Sequence, residues 1–171
     1  MLIDILTSPV SYSYMLLMPI NFFLAFVPFF GEEYGWRYYF QPILQKRFGM
    51  RRGVLILGVV WGLWHIFLDF FYYTTPDRGL AMTGGQMITC VFLGIFFAWA
   101  YMKTGNIWVP VILHFINNNM APVMAGNYSM DVLENQQITW AMIPEALLIN
   151  GIVFGFFLLS KEFRKKEVTE E

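Results

Sequence analysis

Apolar runs long enough to cross a bilayer constrain this chain more than any other feature of it. Spanning the hydrocarbon takes about 20 mostly apolar residues, and the runs at 53–72, 85–102, 107–124 and 139–160 are of that order. A fifth, shorter run from Tyr14 to Phe30 carries Pro19 and Pro28, which kink a helix unless neighbouring segments satisfy the freed carbonyls. It reads as a spanning helix and not as a secretory signal, since no Lys or Arg precedes it. Charged residues make up only 13% of the chain, against about 25% in soluble domains, too few to screen 18 Phe, 9 Tyr, 6 Trp and 11 Met from water. The expected fold is therefore an all-α, polytopic membrane bundle: one domain over 1–171 with about five transmembrane helices and one interfacial amphipathic helix.

That interfacial helix is EEYGWRYYFQPILQKRFGMRR, too polar for hydrocarbon and too aromatic for a free linker, bent or interrupted at Gln41 and Pro42 and stopped at Gly49. Segments 73–84 and 125–138 gather Gly, Pro, Asn and Asp and read as loops. Short cytoplasmic loops are enriched in Lys and Arg. Of the 11 basic residues, Arg37, Lys46, Arg47, Arg51 and Arg52 fall in the first connection, Lys103 in the third, and Lys161, Arg164, Lys165 and Lys166 in the tail; Arg78 alone falls on the other side. This pattern predicts an N-terminus outside and a charged cytoplasmic tail over 161–171. A net charge of −1 argues against a nucleic-acid partner. Cys90, the single cysteine, excludes an intrachain disulfide and a Cys-based zinc site, and reads as a small apolar residue inside a helix.

Ionisable and amide groups at membrane depth are costly, and they face a cavity or one another. Here they are Glu32 and Glu33 at the cytoplasmic edge of the first run, His65 and Asp69 in the second, His114 with Asn117, Asn118 and Asn119 in the fourth, and Glu145 in the fifth. On a helix Glu33 and Arg37 share a face and can pair. Glu32 points about 100° away, which leaves it free as a candidate general base; the alternative is an interfacial acid pair balancing nearby cations. Asp69 could orient the His65 ring or be solvated near the outer end, and His65 could simply bond a neighbouring helix. His114 and Asn118 share a direction and point to one site, whereas Asn117 and Asn119 suit interhelical bonds. Glu145 fits the first turn of a helix, where its charge meets the positive dipole end.

Glu32-Glu33-xxx-Arg37, Trp61-xxx-His65 and His114-xxx-Asn118, in that order on three membrane segments, resemble the CAAX protease and bacteriocin-processing (CPBP, Abi-type) family of intramembrane endopeptidases. Its motifs are EExxxR, FxxxH and HxxxN or HxxxD. The second motif departs at one position, where Trp61 stands in place of Phe and keeps an aromatic ring. The resemblance covers about residues 31–122, a motif-bearing core inside the single domain. It implies hydrolysis of a peptide bond in a membrane-tethered peptide or protein, with membrane lipid as the other partner. Eukaryotic members act on prenylated CAAX proteins; bacterial members look more like processing, immunity or surface-display factors.

Amide hydrolysis needs an activated water, a proton route and donors for the developing oxyanion. In the version favoured by these residues, Glu32 assisted by His65 deprotonates water, His114 and Asn118 stabilise the oxyanion, and Glu33 with Arg37 holds the first helix in register. That version uses no cofactor. Zinc is the alternative, with Glu32, His65 and His114 as three ligands and an open position for water, although HExxH is absent. Two other classes stand beside the protease. One is a transporter or ion-binding protein, disfavoured by the lack of an internal repeat; the other is a non-catalytic membrane immunity or scaffold protein of the same fold.

Overall fold

The structure, a computed structural model, describes residues 8–129 and 131–164, and among them there are seven α-helices and no strand. Ser8 starts α1 (Pro9–Glu33): its Oγ accepts the Val10 N–H at 3.3 Å, and Pro9 takes the first turn, where no N–H is needed. Pro19 and Pro28 lie inside α1 without ending it. At Tyr34 the chain widens into a π-helical turn, Tyr34–Phe40, and then returns to α geometry as α2 (Gln41–Phe48). Pro9–Phe48 is thus one helical run of 40 residues. At 1.5 Å per residue it measures about 60 Å, twice the hydrocarbon thickness, so only part of it lies in lipid.

The segment expected as an interfacial helix is thus continuous with α1, and Glu32 and Glu33 lie within one helical run. The polar stripe of the segment is turned inward. Glu33, Arg37, Gln41 and Gln45, spaced by four, are all buried, while Tyr34, Tyr38 and Tyr39 face out. Pro42 makes no break because it sits in the first turn of α2. Gly49 stops the run as expected, at a φ of 84° that favours glycine.

The run at 53–72 is divided at His65 into α3 (Met50–Trp64) and α4 (Ile66–Phe71). After a 3₁₀ turn at Pro76–Arg78, α5 (Gly79–Thr104) begins inside the segment read as a loop. Apolar contacts override its turn-rich composition, since Ala81 and Met82 are buried and the Phe70 ring abuts Gly79. α6 is Trp108–Ala125, and α7 (Ile143–Phe154) is flanked by 3₁₀ turns, so regular helix fills less of the last run than 139–160. Glu145 does occupy the first turn of α7.

Among the described residues four helical runs are long and apolar enough to cross a membrane: Pro9–Phe48, Met50–Phe71, Pro76–Thr104 and Trp140–Leu159. α6, the remaining predicted span, is diluted by His114 and three consecutive asparagines. α5 packs against α3, α4, α6 and α7. Its seam with α3 depends on Gly58 and Gly62, where an added Cβ would lie 2.5 Å from Val91 Cα and 2.7 Å from Met87 Cα. Small residues one turn apart allow such backbone approach, which drives helix association in lipid. Leu16, Phe23 and Leu24 of α1 and Leu148 and Ile152 of α7 are exposed, as lipid-facing residues are. The start of the tail, Lys161–Arg164, folds back, with Phe163 buried against Val54, Ile95 and Ala98; 165–171 lies outside the described residues.

Candidate active site

The site grows from two adjacent carboxylates. Glu33, fully buried, has one oxygen 2.9 Å from Arg37 Nε and the other 2.9 Å from His114 Nδ1. Arg37 is equally buried, and its guanidinium lies over the rings of Trp61 and Phe97 at 5.1 and 5.6 Å. A charge so far from water is tolerable only with a counter-charge and polarisable partners. The Glu33–Arg37 contact is close but not aligned as a hydrogen bond, so it acts chiefly as charge neutralisation. Since a carboxylate only accepts, His114 carries a proton on Nδ1 and turns Nε2 elsewhere. Phe29, Trp61 and Phe97 pack around the His114 ring at 5.2, 5.3 and 5.8 Å.

Glu32 has a different setting. It is partly exposed, and its Oε2 accepts the Trp61 indole N–H at 3.3 Å. The same Trp61 accepts, on its main-chain oxygen, a 2.8 Å hydrogen bond from His65 Nδ1. A carbonyl cannot donate, so His65 too keeps its proton on Nδ1 and leaves Nε2 free.

His65, His114 and Asn118 line one cavity of about 200 Å³, with Trp61 and Cys90 in its wall. Glu32 does not line it and reaches it through Trp61; Glu33 reaches it through His114. The structure thus gathers both imidazoles and the amide on one cavity and ties each acid to it at one remove. Glu32 and His65 make no direct hydrogen bond. The zinc set of Glu32, His65 and His114 is not assembled here: among the described residues no three His, Cys, Asp or Glu side chains come together to hold a metal.

Other residues keep their expected places or depart from them. Asn117 lines the cavity and donates to Asn118 Oδ1 at 3.1 Å, while Asn119 does serve as glue, bonding Phe115 O at 2.9 Å and accepting from Tyr14 of α1 at 3.5 Å. Asp69 is fully buried, not solvated, and does not hold the His65 ring; Thr83 and His65 are among its polar neighbours. Cys90 is a wall residue with Sγ 3.9 Å from His65 Nδ1. Gln86, Tyr73 and Gln136 also face the cavity. Gln86 carried the same signal as the asparagines, an amide at membrane depth; Tyr73 and Gln136, on the flanking loops, carried none. Gln136 is placed there because its N–H donates to Tyr73 O at 2.7 Å and its carbonyl accepts from Thr74. Burial and the nearby carboxylates Asp69 and Glu32 push the Tyr73 phenol up from its ordinary pKa, so it stays a neutral donor.

Fold and site together define the class: an all-helical, multi-pass integral membrane protein with two histidines, each backed by a fixed acceptor, on a polar cavity inside the bundle. Comparison makes this specific. The family described as type II CAAX prenyl endopeptidase Rce1-like matches residues 14–120, and the chain belongs to that family. It is similar to CAAX prenyl protease 2 of Methanococcus maripaludis, with 26% identity over 122 residues, 68% of this chain and 45% of the relative. The chain spans less than half the length of that relative. No solved structure matches it.

Proposed function

We propose that this chain is an intramembrane endopeptidase that hydrolyses a peptide bond of a membrane-tethered substrate in the cavity between His65 and His114. The observation that carries the proposal is the convergence of two acceptor-backed histidines and Asn118 on one cavity, with Glu32 one hydrogen bond behind it. Glu32, assisted by His65, takes a proton from a water that attacks the scissile carbonyl. Asn118, and His114 when it carries both ring protons, donate to the oxyanion. The C–N bond then breaks as the proton held by Glu32 passes to the leaving amine. Glu33 and Arg37 hold the helix that carries Glu32. The chemistry is metal-free in this proposal, since no step needs a ligand set that these residues do not form.

The test is reconstitution with a panel of membrane-tethered peptides, prenylated and not, comparing wild type with Glu32→Ala, His65→Ala and His114→Ala, with and without a chelator. Cleavage lost in all three variants and indifferent to the chelator is the expected result. Equal cleavage by all four proteins overturns the proposal; loss in the chelator moves the chemistry to a metal. Proton or solute flux abolished by the same variants, without cleavage, favours a transporter.

The proposal also sets the N-terminus outside and the tail in the cytoplasm. Support comes from Phe163 beside Val54, which brings the tail to the bundle end that carries Arg51 and Arg52. The loops bearing Tyr73 and Gln136 then face out. In a Cys90→Ser background an impermeant thiol reagent applied to intact cells should label Glu134→Cys and spare Lys46→Cys; the reverse pattern inverts the topology.

A further inference from the structure

We propose that Trp61 is a positioning residue of the site, holding Glu32 through its indole N–H and His65 through its main-chain carbonyl; this rests on the hydrolase function proposed above. The carbonyl half follows from the helix break. In an unbroken helix the Trp61 carbonyl would accept the N–H of residue 65. Here the His65 N–H turns instead to Gly62 O at 3.1 Å, three residues back, as helix ends do. The Trp61 carbonyl is thereby freed, and the His65 side chain takes it at 2.8 Å. The interruption at His65 and the orientation of its ring are one event, and Trp61 is the residue on which both close.

The indole half departs from the motif of the resemblance. Phe, which the resemblance leads one to expect at position 61, supplies a ring and a carbonyl but no N–H. The Trp61 N–H occupies Glu32 Oε2 and leaves Oε1 for a water. The indole itself is immobile: it is 2% exposed, with His114 edge-on at 5.3 Å on one contact and the Arg37 guanidinium over its ring at 5.1 Å. A partly exposed glutamate samples several rotamers, and a fixed donor selects one. Misplacement of a reacting group by about 1 Å costs on the order of 100-fold in rate, and a glutamate freed to move populates the productive rotamer only part of the time.

Trp61→Phe separates the donor from the ring. The expected outcome is a kcat lowered about 10-fold with KM within about twofold of wild type, since the change touches the water-activating group and not the cavity's substrate contacts. A merely structural indole would not give that split at unchanged melting temperature. A second readout needs no activity. In protein labelled with ¹⁵N on the indole nitrogens, the Trp61 resonance, identified by its loss in Trp61→Phe, should shift in Glu32→Ala. A resonance unmoved by Glu32→Ala, or a Trp61→Phe variant with wild-type kcat, overturns the proposal. Should Trp61→Phe fail to fold, the Trp61 resonance is identified instead as the one that survives single Phe substitutions of the other five tryptophans, and its shift in Glu32→Ala decides. If wild-type protein cleaves no peptide, the hydrolase function fails and the positioning role fails with it, an outcome distinct from Trp61→Phe alone keeping full rate.

Discussion

Glu32 and Glu33 are neighbours in the chain and opposites in the molecule. Glu33 is sealed between Arg37 and His114, with an ionic or hydrogen-bonding partner for each oxygen. Glu32, about 100° around the helix, meets only a neutral indole N–H and keeps partial access to water. A saturated carboxylate is a poor base because taking a proton would break what it holds together. An unsaturated one strands no charge when removed. Under the proposed function the pair divides two tasks: Glu33 neutralises a buried cation and fixes a ring, and Glu32 is left for chemistry.

The sharpest way to break this division is to delete each carboxylate and measure both rate and stability. Glu32→Ala should lower kcat by about 10²–10⁴-fold, the range of a lost general base, with thermal unfolding in detergent unchanged. Asn118→Ala should follow at about 10²–10³-fold, the cost of one oxyanion donor. Glu33→Ala should act first on stability, losing about 3–5 kcal/mol because Arg37 is left charged and dry. Adding Arg37→Met to Glu33→Ala should recover much of that loss in denaturant titration, without restoring activity, since His114 still lacks its acceptor. A Glu33→Ala variant as stable as wild type, or a Glu32→Ala variant that unfolds early, would reverse the assignment.

How far such a division is legible in advance depends on whether its cause is local. Glu33 and Arg37 are four apart on one helix, so their pairing follows from helical geometry alone. That His114 would complete the group does not, because apolar periodicity says which residues are buried and not which helices touch. Trp61 shows the limit most clearly. Counted as hydrophobic, it vanishes into the pattern; its carbonyl meets the His65 ring only because the helix breaks there, a break of which the surrounding apolar composition gives no warning, and its indole meets Glu32 only because two helices touch. The spacing by four of Glu33, Arg37, Gln41 and Gln45 can be read in the chain, but that this stripe faces inward cannot. The rule that polar faces meet water inverts where the outside is lipid. Asp69 was misjudged for a related reason: distance along a helix says nothing of burial when α5 begins early enough to place Thr83 beside it.

The asparagines of α6 make the same comparison in miniature, and the smallest predicted effect. Asn118 faces the cavity, whereas Asn119 is turned to α1, accepting from the Tyr14 hydroxyl at a long 3.5 Å while its own amide bonds Phe115 O. α1 and α6 are held mainly by aromatic contacts, Phe22 and Phe29 against Phe115 at 5.2 and 5.3 Å. One stretched polar bond adds little to such a seam, and interhelical hydrogen bonds in membrane proteins are worth about 0.6 kcal/mol on average. Asn119→Ala should therefore lower stability by about that amount and leave kcat untouched, while Asn118→Ala does the converse. If both variants lose rate equally, α6 presents its whole polar run to the substrate, and the distinction between lining and glue along this helix does not hold.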